Sequence, residues 1–126
     1  MQTVFWVALG GAIGAVGRHL VGLQAVKLFG PAFPWGTLSV NVAGSFAMGV
    51  LIGLLPARAD AFPAVRAFLA VGVLGGFTTF SAFSLDVAVL LERKANVAAA
   101  GYLTGSVTLS ILALFAGLWL TRLAVQ

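Results

Sequence analysis

Apolar runs of bilayer-crossing length occupy almost the whole chain, separated only by short segments that hold most of its charges and prolines. A helix needs about 20 apolar residues to cross a bilayer, and a backbone in hydrocarbon must satisfy its own hydrogen bonds. The sequence therefore predicts an all-α membrane protein of four transmembrane helices per subunit. The spans are expected at about 4–28, 37–55, 64–91 and 97–120, in a single domain over residues 1–126. No basic segment precedes the first run and no clear cleavage site follows it, so it reads as a spanning helix rather than a signal peptide. Pro31 and Pro34, then Pro56, Arg58, Asp60, Pro63 and Arg66, then Glu92 to Asn96, mark the turns between spans. Composition agrees, with 61% hydrophobic and 8% charged residues and a mean hydropathy of +1.11, far from soluble proteins. Cysteine is absent, and one His with three acids leaves little material for a metal site or acid–base chemistry, so no enzyme is expected. The net charge of +4 includes no basic run longer than two residues, which favours headgroups or anions over nucleic acid as partners.

The third run contains the least helix-like stretch, Gly72-Val73-Leu74-Gly75-Gly76-Phe77-Thr78-Thr79-Phe80-Ser81-Ala82-Phe83. Glycine lowers helix stability, and Thr and Ser offer the backbone alternative hydrogen bonds. A mid-membrane break is expected at Gly75-Gly76. It would free carbonyls between Gly75 and Thr78 to face a cation, as unwound transporter helices do. A kink repaired by the Thr78 or Thr79 hydroxyl is the plainer alternative. Phe80 and Phe83 are three apart and share a helix face, where ring edges carry partial positive charge.

Other spans add polar groups. Asn41 lies within the second, where an amide is costly unless it clamps another helix or lines a wet path. Tyr102, Ser106 and Ser110 form one hydroxyl stripe of the fourth span, and Thr104 and Thr108 a second, rotated one. No acid lies on the first stripe, which suits an anion route better than a proton relay. Arg18, near the end of the first span, either snorkels to the interface or forms an anion-attracting vestibule. Asp86 is expected near the interface, paired with a basic side chain or a helix end. The Gly-x-x-x-Gly pairs Gly10/Gly14, Gly49/Gly53, Gly72/Gly76 and Gly101/Gly105 are expected to serve close helix packing.

Three basic residues fall on one side of the membrane (Arg58, Arg66, Arg122) and four on the other (Arg18, Lys27, Arg93, Lys94), so the positive-inside rule has little to act on. Two readings stay open: one orientation fixed by a dominant loop, or insertion both ways with antiparallel pairing.

Three stretches together resemble the Fluc (CrcB) family of fluoride channels. They are Gly10-Gly11-Ala12-Ile13-Gly14-Ala15-Val16-Gly17-Arg18, Gly36-Thr37-Leu38-Ser39-Val40-Asn41-Val42-Ala43-Gly44-Ser45-Phe46 and Gly75-Gly76-Phe77-Thr78-Thr79-Phe80-Ser81-Ala82-Phe83-Ser84. The resemblance implies a dual-topology, antiparallel homodimer in the bacterial cytoplasmic (inner) membrane, with two pores that export fluoride passively. It implies a structural sodium ion at the dimer centre, held by the backbone carbonyls of Gly75 and Thr78 from each subunit. It further implies that Asn41, Phe80, Phe83, Tyr102, Ser106 and Ser110 line the fluoride path, with Arg18 as the matching first-helix arginine. Ala82 departs from the Thr more usual in this family, so no hydroxyl role is carried to that position. Two other readings are a small four-span proton-coupled drug or cation exporter and a non-transport membrane assembly subunit. The exporter needs an embedded carboxylate that the first span lacks. The assembly subunit leaves the hydroxyl stripe beside the phenylalanines without a purpose.

Overall fold

The computed structural model describes residues 2–55 and 62–125. Pro56, Arg58 and Asp60, assigned above to the second turn, lie outside the described residues. The elements are α1 (Gln2–Phe29), α2 (Trp35–Leu54), α3 (Pro63–Val65), a π-helical segment (Arg66–Leu74), α4 (Gly75–Phe77), α5 (Ser81–Glu92) and α6 (Asn96–Val125). Among the described residues, four stretches are long and apolar enough to cross a membrane: Gln2–Phe29, Trp35–Leu54, Pro63–Glu92 and Asn96–Ala124. The chain is a multi-pass, all-helical membrane protein.

Packing pairs α1 with the π segment and α4, and α2 with α6. Glycines set both contacts. A Cβ at Gly10 would run into the Phe68 carbonyl oxygen, one at Gly14 into that of Val73, and one at Gly49 into that of Leu114. Gly101 and Gly105 differ, because a Cβ at either meets open space. The end of the bundle opposite the glycine contacts is filled by Phe83, Leu90, Ala99 and Tyr102, with Phe33 and Leu38 packed against them.

Residues 78–80 are not helical. Thr78 takes an extended conformation (φ −86°, ψ 158°). The interruption falls beyond the glycine pair rather than on it, for Gly75 is right-handed helical (φ −62°, ψ −39°). Gly76 serves close approach instead: a Cβ there would sit 2.7 Å from the Gly11 carbonyl oxygen. The helix ends only where a side chain from α2 reaches the backbone.

Candidate functional site

That side chain is Asn41. Its Oδ1 accepts the Thr79 N–H at 2.8 Å, and its Nδ2 donates to the Thr79 carbonyl at 3.0 Å. The carboxamide thus pairs with the backbone of one residue on both sides, which fixes its orientation and clamps α2 to the interrupted segment. One of the two Nδ2 protons remains for another acceptor.

Thr79 also meets the start of α5, where its Oγ1 accepts the Ala82 N–H at 3.1 Å, three residues on, and so satisfies one of the amides that open the helix. Thr78 bonds back through its own hydroxyl to the Leu74 carbonyl at 2.9 Å. Arg18 Nε donates to the Gly76 carbonyl at 3.1 Å. The bond holds the Arg18 guanidinium where the first half of the span ends. A cation there meets the partial negative charge of a helix C-terminus.

A groove of about 310 Å³ opens beside the interruption, lined by Asn41, Ser45, Thr78, Thr79, Phe80, Phe83, Ser106, Val107, Ser110 and Ile111. It brings together Asn41, Phe80, Phe83, Ser106 and Ser110 from three separate stretches of sequence. The rings of Phe80 and Phe83 lie 5.5 Å apart at 57°. Phe83 is buried, whereas Phe80 is 76% exposed, so one wall of the groove is open in the single subunit. Ser106 and Ser110 sit one turn apart on α6, and both hydroxyl oxygens are buried without a hydrogen-bond partner. Ser106 is only 4% exposed. A serine in a membrane helix ordinarily bonds back to its own helix, as Thr121 does to the Gly117 carbonyl at 3.0 Å. Both serines line one groove, and their buried hydroxyls keep bonding capacity that no group among the described residues takes up.

Tyr102 is placed differently from the other residues of its stripe. Its ring packs on Phe83 at 5.2 Å and edge-on to Phe33 at 5.5 Å, and it does not line the groove. Its hydroxyl donates to Asp86 Oδ2 at 2.8 Å. Asp86 therefore pairs with a phenol, not with the basic side chain or helix end expected, because α5 and α6 pack face to face at the Phe83–Tyr102 contact. An acid does touch the hydroxyl stripe after all, at its Tyr102 end. Thr104 and Thr108 are exposed on the outside of α6. Asp86 also borders a second cavity of about 240 Å³ with Thr37, Gly36 and Arg93 among its lining.

Sequence reasoning passed over Ser45 and the backbone of Thr79 as groove residues. Ser45 follows Asn41 by one helical turn, and that spacing was available as a signal. The role of Thr79 was not, since it depends on contact with a distant helix.

Cation fit rests on the same bonds. Among the described residues no group of three or more His, Cys, Asp or Glu is placed to hold a metal. The donors the segment has to offer are neutral backbone carbonyls. In a continuous helix the Gly75 carbonyl would receive the Thr79 N–H and the Thr78 carbonyl the Ala82 N–H. Here those two amides go to Asn41 Oδ1 and Thr79 Oγ1. Gly75 and Thr78 thus lack their helical donors, which suits a hard monovalent cation bound by carbonyl oxygen.

Comparison with known proteins gives a consistent result. The sequence model of the family described as "CrcB-like protein, Camphor Resistance (CrcB)" matches residues 5–118. A protein of Chelativorans sp. named "Fluoride-specific ion channel FluC" is 60% identical over 97% of this chain and 98% of its own. One of the same name from Rhodospirillum centenum is 57% identical over 99% of both chains. A third, from Mesorhizobium japonicum, is 53% identical over 97% of this chain and 98% of its own.

Proposed function

This chain belongs to the CrcB-like family, a family of channels and not of enzymes, and from that premise we propose that it conducts fluoride selectively and passively out of the cytoplasm. The observation that carries the proposal is the pair of buried, unpartnered hydroxyls of Ser106 and Ser110 in the groove beneath Phe80 and Phe83. Fluoride is small and strongly hydrated, so a path for it must replace water with closely placed donors. Two serine hydroxyls, the remaining Nδ2 proton of Asn41 and the positive edges of two rings do so without a full positive charge that would trap the ion. Arg18, anchored on Gly76, supplies positive potential that draws anions toward the bundle and acts as the vestibule residue. Tyr102 lies outside the groove lining and backs Phe83, so its part in the path is to hold that ring. The negative interior of a bacterial cytoplasmic membrane drives anions outward, so export needs no other energy source.

The working unit is a homodimer of antiparallel subunits with two pores. Its support is the missing wall beside Phe80, the open space at Gly101 and Gly105, and the near balance of basic residues across the membrane. The non-helical residues 78–80 are the mid-membrane break of the third helix. The Gly75 and Thr78 carbonyls of each subunit would hold a sodium ion at the dimer centre, where its fixed positive charge would tie the two breaks together. The proton-coupled exporter loses ground, because the hydrogen-bonded carboxylate of Asp86 lies against Tyr102 and outside the groove lining.

The test is efflux from liposomes loaded with potassium fluoride or potassium chloride and carrying the purified protein. Fluoride should leave on addition of a potassium ionophore and chloride should stay. No fluoride release, or equal release of the two ions, would overturn the proposal.

A further inference from the structure

Two side chains that border the groove also decide which backbone oxygens of the break stay free. We propose that Asn41 and Thr79 are positioning residues for the cation, holding the Gly75 and Thr78 carbonyls open by taking the amides that would otherwise close them. The inference rests on the sodium reading given above and adds how this chain makes the site.

Bond directions carry the argument. The helical donor for Gly75 is the Thr79 N–H, and it is turned 2.8 Å from Asn41 Oδ1. The helical donor for Thr78 is the Ala82 N–H, and it is turned 3.1 Å from Thr79 Oγ1. The return bond from Asn41 Nδ2 to the Thr79 carbonyl, 3.0 Å, locks the first diversion in place. Between them, the Gly76 carbonyl is taken by Arg18. Leu74 receives both the Thr78 N–H at 3.0 Å and the Thr78 hydroxyl at 2.9 Å. The side chains thus sort the carbonyls of the break: Leu74 and Gly76 are occupied, while Gly75 and Thr78 are stripped of their donors. Both Asn41 and Thr79 line the groove, so one pair of residues borders the anion path and shapes the cation site.

Replacing Thr79 by Val keeps its shape and removes the acceptor, which leaves the Ala82 N–H to bond to Thr78. Asn41→Leu releases the Thr79 N–H to bond to Gly75. Thr79→Ser keeps the acceptor. Ser84→Ala removes a nearby hydroxyl that bonds only to the Phe80 carbonyl and diverts no amide.

The experiment is thermal unfolding of the purified full chain across a sodium series, with N-methylglucamine as the balancing cation. The readout is the sodium concentration giving half the stabilisation, because a ligand that binds only the folded state stabilises it by its own occupancy. Thr79→Val and Asn41→Leu should each raise that concentration by about tenfold, the scale of one lost oxygen ligand. Thr79→Ser and Ser84→Ala should match the unsubstituted chain. Unchanged midpoints in assembled Thr79→Val and Asn41→Leu would overturn the inference while leaving the cation site standing. Failure of both to assemble even in saturating sodium, with Thr79→Ser intact, would also overturn it, since the side chains would then serve the fold regardless of the cation. An unsubstituted chain indifferent to sodium would instead remove the sodium reading, and this inference with it.

Discussion

The two halves of the third span come from one run of sequence and are packed by opposite means. Before the interruption, the π segment and α4 lie on α1 with backbone nearly touching backbone, through Gly10, Gly14, Gly72 and Gly76. After it, α5 meets α6 through rings, with Phe83 and Tyr102 centred 5.2 Å apart. In the glycine half, backbones approach so closely that a Cβ at Gly10, Gly14 or Gly76 would meet a carbonyl oxygen of the facing helix. The aromatic half leaves a groove of about 310 Å³ whose Ser106 and Ser110 hydroxyls have no partner among the described residues. Small residues close space and make a scaffold, whereas large rings at helical spacing prop helices apart. Where polar side chains face the space so made, their bonds await an ion.

That contrast breaks if the glycine half proves tolerant. Gly14→Val places a Cβ on the Val73 carbonyl oxygen, a contact between backbones that no side-chain rotation relieves. It should cost about 3 kcal/mol or more, read as loss of the unfolding transition in detergent; an unchanged midpoint would deny the scaffold role. On the aromatic side, Tyr102→Phe leaves the Asp86 carboxylate without its partner and should cost roughly 1.5–3 kcal/mol in the same measurement. Phe80→Ile and Phe83→Ile sharpen the comparison from the side of function. Each should slow fluoride efflux by about tenfold, equivalent to ~1.4 kcal/mol in the barrier, with the proposed dimer still assembled by size exclusion. Unchanged efflux in both would remove the rings from the mechanism. The smallest effect belongs to Gly101→Ala, whose methyl meets nothing in the subunit and should shift its stability by less than about 0.5 kcal/mol. If a second copy packs on that face, the same substitution should weaken dimer assembly, read by dilution.

How much of this was legible in the sequence depends on how local the cause is. Four spans follow from length and apolarity alone, and the pairing of glycines with close contacts follows from their spacing for all but Gly101/Gly105. That Asn41, Phe80, Phe83, Ser106 and Ser110 share one path was implied by the resemblance alone, which also put Tyr102 on it; residue type and register gave each residue only a separate polar or aromatic face. The place of the interruption was not legible. Gly75-Gly76 is the weakest local helix, yet it stays helical, because the bond that ends the helix comes from Asn41, 38 residues away. Nor was the partner of Asp86, since Tyr102 lies on another helix, 16 residues on. Propensity locates weakness; tertiary contact decides where a helix stops.

The central claim is that the orphaned hydroxyls of Ser106 and Ser110 serve a passing anion and not the fold. Fluoride efflux by the Ser106→Ala, Ser110→Ala double variant in liposomes tests it directly. The account predicts efflux at least about tenfold slower, from a protein that still assembles because neither hydroxyl has a partner to lose. Efflux at the unsubstituted rate would contradict it.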